Sequence, residues 1–457
     1  MQYRVKDLIR LLENDSEILH YKIRNQSLWM ILRQSMIEHL ITHTSQNDSP
    51  VRSPINLLSS VRALFYSFLF PPNKTKKGKV LFIASSLKKT NEQYLNHITD
   101  PLFSSIKNDS YVFYEGKKTV RKSFSSSQRS LFWMELKINF KLIFKSLNKD
   151  DLETIRQFFF FFNKKLGENN LPNTSINQNF AVKKINLYFL KYEAFKSLLG
   201  IIKPKVILVE GLCYSRFYIT SVAKELSIKT GELQHGMIDK NNHAYNISEQ
   251  LAKQNTIQYY YPDYFLSFGP YWKSFMNIPT KHIPIGFCFL GNFARQQIIL
   301  NESKSILVIS SSVNANEIIK FTLELNELAK FRNTKIVFRV SPRELPNLKK
   351  VYASLMNQEN ITMDKNLNIY DSFLKYDTVV GDYSTVLFEG IYFGKSIYLF
   401  NTTSTKVFCE NELFPKLEIN QLDQVFEPNN DSFNEIKHQI WSSNPDENLL
   451  NFVNKLP

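Results

Sequence analysis

The stretch DTVVGDYSTVLFEGIYFGKSIYLFN, residues 377–401, decides the fold. DTVVGDYS reads as a strand running into a polar turn, TVLFEGIYFG as a helix closed by Gly394, and KSIYLFN as a second strand. A strand, a helix and a strand in succession form the repeating unit of a parallel sheet. Ser384 and Thr385 fall at the helix N-terminus, where free N–H groups and the helix dipole favour an anion. Glu389 shares a face with Thr385, one turn further in, within reach of ribose hydroxyls. The competing reading is a plain N-cap made by Asp382 or Ser384.

Outward from this unit the alternation continues. SILVISSS (305–312), NEIIKFTLELNELAKF (316–331), TKIVFRVSP (334–342) and NLKKVYASLM (347–356) read as strand, helix, strand and helix. An earlier block contains KVLFIASS (79–86), PKVILVEG (204–211), SRFYITSVAKELSI (215–228), TGELQHG (230–236), YPDYFLSFG (261–269) and HIPIG (282–286). Helical spacing dominates residues 1 to about 70 and again 127–200, and PPNKTKKGK (71–79) reads as a basic linker. The expected fold is α/β, with two Rossmann-like domains facing a cleft. A helical extension (1–75) precedes a first domain (76–295) and a second, nucleotide-donor domain (296–457).

Ligands on open α/β sheets sit at the carboxyl ends of the strands, so the residues just after each strand are the candidates. In the second block these are Ser311, Arg339 and Arg343, the guanidinium groups being suited to a diphosphate. In the first block Glu210 ends a strand and is a candidate general base, against a solvated or helix-capping role. The loop GELQHGMIDKNNHAY (231–245) adds Gln234, His235, Gly236, Asp239, His243 and Tyr245. His235 suits positioning of a reacting group or a phosphate, with a structural histidine as the competitor, and Asp239 is a second candidate acid, base or nucleophile. His235 and His243 lack the further ligands a zinc site needs, so no metal is expected.

Composition narrows the classes. The formal charge of +15 favours polyanionic partners: nucleic acid, an anionic membrane surface or phosphorylated substrates. The interleaved glycine, aromatic and basic pattern of an RNA-binding sheet is missing, which argues against nucleic acid. Three scattered cysteines exclude a disulfide framework and read as reduced thiols. Neither GxGxxG nor GxxxxGK[ST] occurs, so a standard dinucleotide or P-loop enzyme is disfavoured. The opening MQYRVKDLIRLLENDSEILHYK is interrupted by charge, and no uncharged apolar run reaches the ~18–20 residues a membrane span requires. In FWMELKINFKLIFKSL, Lys137, Lys141 and Lys145 line one face, with Trp133, Leu136, Phe140, Ile143, Phe144 and Leu147 on the other. That pattern suits either a membrane-interface helix or a core helix with a solvated lysine face.

The set ELQHG, H-A-Y, YPDYFLSFGPYWK, FRVSPRE and GDYSTVLFEGIYFGKSIYLF resembles bacterial surface-polysaccharide glycosyltransferases of the GT-B fold, over roughly residues 80–400. These include capsule, lipopolysaccharide, sialic-acid and Kdo transferases and the glycerophosphate transferases of teichoic acid synthesis. The resemblance implies that Ser384 and Thr385 bind the donor phosphate, that Glu389 lies near the nucleotide, and that Gln234, His235 and Gly236 lie across the cleft. In sialyltransferase-like members an acidic-acidic-Gly motif supplies the base and a His-Pro motif binds nucleotide. Here these stand as Val209–Glu210–Gly211 and Ser341–Pro342, a departure that argues against a CMP-sugar donor.

The expectation is therefore a metal-independent enzyme that moves a sugar from a nucleotide-sugar to a lipid-linked or polysaccharide acceptor. It needs no cofactor beyond that donor, and it works in the cytoplasm against the inner membrane face. Two alternatives stand beside it: transfer of a polyol phosphate from a CDP-glycerol-type donor, and a non-enzymatic basic membrane- or nucleic-acid-binding protein. In a retaining double displacement, Asp239 becomes the carboxylate of interest.

Overall fold

A computed structural model describes the chain apart from residues 1–4, 45–64, 66, 69–70, 75–77, 85–87, 91–92, 117–126, 170–177, 295–304, 312–313, 342–343, 365–367, 410–411, 428–432 and 457. Part of the basic linker, the 295/296 domain boundary and Arg343 lie outside the described residues.

The first sheet contains β1 (Val80–Ala84), β2 (Ser110–Tyr114), β3 (Gln128–Ser130), β4 (Val206–Glu210), β5 (Lys229–Leu233), β6 (Tyr264–Ser267) and β7 (Lys281–Pro284). All its pairings are parallel, in the order β3-β2-β1-β4-β5-β6-β7. The second contains β8 (Ser305–Ile309), β9 (Lys335–Arg339), β10 (Ile361–Asp364), β11 (Thr378–Gly381), β12 (Ser396–Phe400) and β13 (Lys416–Leu417). Its order is β10-β9-β8-β11-β12-β13, again all parallel. In both sheets the order reverses beside the first strand, as in the Rossmann fold, and the crevice at such a switch point is where ligands bind. The molecule is thus a two-domain α/β protein of GT-B architecture. The strands at 110–114, 128–130, 361–364 and 416–417 escaped the sequence reading. SYVFY has a strand's composition between the turn residues Asn108–Asp109 and Gly116, so its signal was present, whereas ITMD, QRS and KL are too short to show a period.

Period-two burial explains the layering. Leu81, Ile83, Tyr111, Phe113, Ile207 and Val209 face one core, shared with α1 (Val5–Leu12) and α2 (Leu28–Thr44) of the N-terminal extension. The alternate residues Val80, Phe82, Val112, Val206 and Leu208 face the other core. There they meet Leu102 and Phe103 of α3 (Thr99–Ser105) and Leu449, Phe452 and Val453 of α10 (Pro445–Asn454). The chain therefore crosses back to the first sheet after completing the second. On its way Trp441 Nε1 donates to the Phe388 carbonyl (3.1 Å), and Trp272 Nε1 donates to the Ile440 carbonyl (3.0 Å). A Cβ on Gly269 would fall 2.3 Å from the Gln439 carbonyl oxygen and 2.5 Å from that of Ile440, so only glycine admits this strap.

The remaining helices used below are α4 (Phe132–Phe144), α5 (Lys149–Glu168), α6 (Gln178–Ile202), α7 (Phe217–Glu225), α8 (Ala315–Phe331) and α9 (Thr385–Tyr392). α8 covers the outer face of the second sheet with Ile318, Phe321, Leu325 and Ala329. Among the described residues no helix is long and apolar enough to cross a membrane.

Candidate functional site

The carboxyl ends of β2, β4 and β5 bring together Glu115, Glu210, Glu232 and His235, with Arg216 among them. Glu210 is 3 % exposed and accepts from the Thr99 hydroxyl at 2.9 Å. Burial pushes its carboxyl up to about 7 against the opposing effect of its hydrogen bonds. The turn after it needs Gly211, whose φ of +65° lies in the left-handed region. Glu232, one strand over, is fully buried and accepts from the Cys213 N–H and from the Tyr245 hydroxyl, both at 2.7 Å. Burial pushes its carboxyl to about 7 as well. Glu115 pairs with Arg216 at 2.8 Å. Burial works against the Arg216 charge, but Glu115 first and then the other carboxylates hold its pKa above the usual value.

His235 stands in front of Glu232 with a third of its side chain exposed. Its Nδ1 lies 3.4 Å from the Tyr245 hydroxyl and 3.8 Å from Glu232 Oε1, and the Tyr214 ring meets it edge-on at 5.3 Å. Desolvation, with the Arg216 charge behind it, lowers the imidazole to about 4, so the ring is neutral at physiological pH and a weak base at rest. A neutral histidine backed by a tyrosine and a buried carboxyl, the carboxyl being one that can itself hold a proton, is equipment for general acid–base chemistry.

On the second sheet, Ser384 is the N-cap of α9, its Oγ accepting from Val386 N–H at 3.4 Å. The Met237 N–H, next to the QHG triplet, donates to Thr385 Oγ1 at 2.9 Å. A Cβ on Gly236 would come within 3.3 Å of that same oxygen, so the QHG loop and the α9 N-terminus are in direct contact. Glu389, one turn in, is hydrogen-bonded to Tyr370, whose phenol is raised by burial first and by Glu389 second. Asp382 does not cap α9. It is buried and accepts from Thr402 (2.7 Å) and Thr405 (2.6 Å), joining β11 to the segment after β12.

Several sequence candidates turn out to hold the scaffold. Arg339 is 5 % exposed, and its Nη1 donates to Asp364 (2.8 Å) and Ser372 (3.1 Å) inside the second domain. A guanidinium so engaged is not offered to a diphosphate, which corrects its assignment. Gln234, 1 % exposed, donates to the Gly236 carbonyl (2.9 Å) and accepts from Phe268 N–H (2.8 Å), leaving its amide to shape the loop and not to touch substrate. Asp239 is fully buried and accepts from Asn241 N–H (3.1 Å), closing a local turn. That burial argues against a nucleophile. His243 turns towards the N-terminal extension, where burial and then Arg33 lower its imidazole to about 3. Tyr245 acts through Glu232 and His235, its hydroxyl being consumed there. Ser311 is half-buried in the turn after β8.

The extension also builds the site. Arg33, 2 % exposed, pairs with Glu13 at 2.6 Å and donates to the carbonyls of His243 and Asn246, the latter at 2.7 Å. Glu13 in turn accepts from Ser248 N–H at 2.9 Å. The loop 231–245 is thus bolted from behind by α2, a long-range contact no local pattern reveals. Glu232 carried little local signal, because its strand KTGEL is mostly polar in sequence and only the tertiary structure shows it buried. Glu115 stands directly after SYVFY and before Gly116, much as Glu210 ends VILVE before Gly211, while Arg216 carried no signal. Among the described residues no three His, Cys, Asp or Glu side chains converge as metal ligands would.

No family model matches the chain, and no curated protein does. Among solved structures it resembles the UDP-GlcNAc 2-epimerase of Methanocaldococcus jannaschii, at 13% identity over 82% of this chain and 99% of that one, with a TM-score of 0.44. The Neisseria meningitidis UDP-GlcNAc 2-epimerase bound to UDP-GlcNAc gives 14%, 82%, 99% and 0.47. The calicheamicin glycosyltransferase CalG4 gives 10%, 83%, 94% and 0.39. These likenesses concern the arrangement of the chain and carry no argument about its substrate.

Proposed function

We propose that the protein is a glycosyltransferase that binds a nucleotide-sugar between its two sheets and passes the sugar to an acceptor hydroxyl. The observation that carries this reading is the pairing of His235 and the buried Glu232 on one side with the α9 N-terminus on the other, linked at Met237 and Thr385. The diphosphate sits at the α9 N-terminus, displacing the Met237–Thr385 hydrogen bond as it enters. Glu389 faces the nucleoside. His235 takes the proton from the acceptor hydroxyl, whose oxygen bonds to the anomeric carbon while the bond from that carbon to the phosphate oxygen breaks. Tyr245 and Glu232 orient the ring and steady the imidazolium that forms. A negative donor beside His235 raises its proton affinity from the resting value of about 4.

The test is thermal stabilisation by CMP, CDP, UDP, GDP and dTDP, followed by turnover with the matching nucleotide-sugar. A ligand at one hundred times its dissociation constant stabilises by ~2.7 kcal/mol. One nucleotide is expected to stabilise the wild type and to lose that effect in Thr385→Ala. Stabilisation by CDP alone, with transfer of a polyol phosphate, would replace the sugar reading with the phosphate-transfer one. No response to any of the five would remove both.

A further inference from the structure

Helix α4 points Lys137 and Lys141 the same way as Phe140, Ile143 and Phe144, into solvent. Phe140, Ile143 and Phe144 are 64%, 74% and 73% exposed, and Lys137 and Lys141 are exposed beside them. The two phenyl rings meet edge-on at 5.2 Å, and the Lys137 ammonium lies 5.1 Å over the Trp133 ring. What packs inward is the narrower stripe of Phe132 and Ile138, helped by the half-buried Leu136 and Leu142. A core helix with a solvated lysine face does not describe this element.

A second segment adds to the patch. Phe65 and Phe68 are 62% and 65% exposed, and Phe68 meets Trp133 edge-on at 6.3 Å. Ser67 fixes this segment to the start of α4, donating to the Ser130 carbonyl at 3.1 Å and accepting from Trp133 N–H at 2.9 Å. The only acid of α4, Glu135, lies on the inner side and accepts from Gly116 N–H at 3.1 Å. Among the described residues of these two segments, the outward face therefore carries cations and apolar groups and no carboxylate.

We propose that this face docks on an anionic lipid bilayer, with Phe140, Ile143 and Phe144 entering the headgroup–acyl boundary and Lys137, Lys141 and Lys145 meeting lipid phosphates. Exposed aromatics flanked by lysines match an interface that is apolar beneath and negative at its surface. A second copy of the chain is a poorer occupant, because a twofold contact would set these lysines against their own equivalents. Glu135 reaches Gly116, next to the Glu115–Arg216 pair, so the bilayer would lie about one helix diameter, ~10 Å, from the cleft. Docking does not depend on the transferase reading, and its test needs no turnover.

The experiment is co-sedimentation of the full chain with vesicles of phosphatidylcholine, alone or with roughly one-third phosphatidylglycerol. The wild type is expected to bind the anionic vesicles, less so as salt rises, and not the neutral ones. Two variants separate the contributions: Phe140→Gln/Ile143→Gln/Phe144→Gln and Lys137→Gln/Lys141→Gln/Lys145→Gln. Each should weaken partitioning on the order of 100-fold while leaving the melting temperature near that of the wild type, since the replaced groups are mainly exposed. Failure of the wild type to bind anionic vesicles, or unchanged binding by the apolar variant, would overturn the proposal. So would a wild-type dimer in sedimentation equilibrium that the apolar variant converts to monomer, or binding to duplex DNA abolished by the same substitutions.

Discussion

Replacing Glu232 with Gln tests whether the carboxyl behind His235 is held protonated. Unfolded, a glutamate ionises near pH 4.5; folded, Glu232 keeps its proton up to about 7 because burial disfavours the charge. The folded state therefore binds more protons across that window, so stability is present at its acid end and is lost as pH rises through it. Raising the carboxyl from 4.5 to about 7 corresponds to about 3 kcal/mol. Gln removes that loss. It can still accept from Cys213 N–H, but one carboxyl oxygen is replaced by a donor towards Tyr245, which costs about 1 kcal/mol. The variant is thus expected to match the wild type near pH 5, where ionisation of the unfolded glutamate already costs the wild type about 1 kcal/mol, and to be more stable near pH 8, by about 2 kcal/mol. At roughly 2–4 °C per kcal/mol, the variant's melting temperature is expected to rise by ~4–8 °C relative to the wild type between the two pH values. Melting curves of both proteins from pH 5 to 8 measure it. A constant difference across the range would refute the reasoning, because the carboxyl would then be ionised throughout or buried without cost.

Turnover is expected to climb as pH rises through about 7, where the Glu210 and Glu232 carboxyls release their protons, and kcat/KM profiles of Glu210→Gln and Glu232→Gln report which one sets the limb. Arg339→Met leaves Asp364 buried without its ion pair and should destabilise the second domain by about 3–5 kcal/mol, while nucleotide affinity of the folded fraction stays unchanged. A selective loss of affinity would restore Arg339 to the phosphate site. Arg33→Met should cost a similar ~3–5 kcal/mol by stranding Glu13, and should speed hydrogen exchange around His243 and Asn246, measured by mass spectrometry. Gly269→Ala forces its Cβ against the carbonyls of Gln439 and Ile440. It should lower the melting temperature by the equivalent of about 1–3 kcal/mol and alter the fluorescence of Trp272 and Trp441.

The alternation of strands and helices was legible because parallel strands buried on both faces read as continuous apolar runs, as VILVE and SIYLF do, between helices with their own period. The α9 N-terminus and the position of Glu210 followed from the same local pattern, since a strand's end and a helix's start are marked by neighbours in the chain. Side-chain commitments were another matter. Arg339 and Gln234 have the right chemistry and the right place for a ligand, yet their partners, Asp364 and Phe268, lie on neighbouring strands or just past their ends. Pairing between strands is fixed by register across the sheet, and a hydrogen-bonding group has no spare capacity to advertise once that register has consumed it.

By itself the sequence determined two parallel α/β blocks and an anion-ready helix start, because periodicity and capping are local properties of the chain. Only the tertiary structure decided that Glu232 stands behind His235, that Arg33 anchors the loop they share, and that Phe140, Ile143 and Phe144 face solvent. Those are matters of which surfaces meet. They depend on contacts between elements far apart in the chain, and burial alone turns an ordinary glutamate into one that titrates near 7.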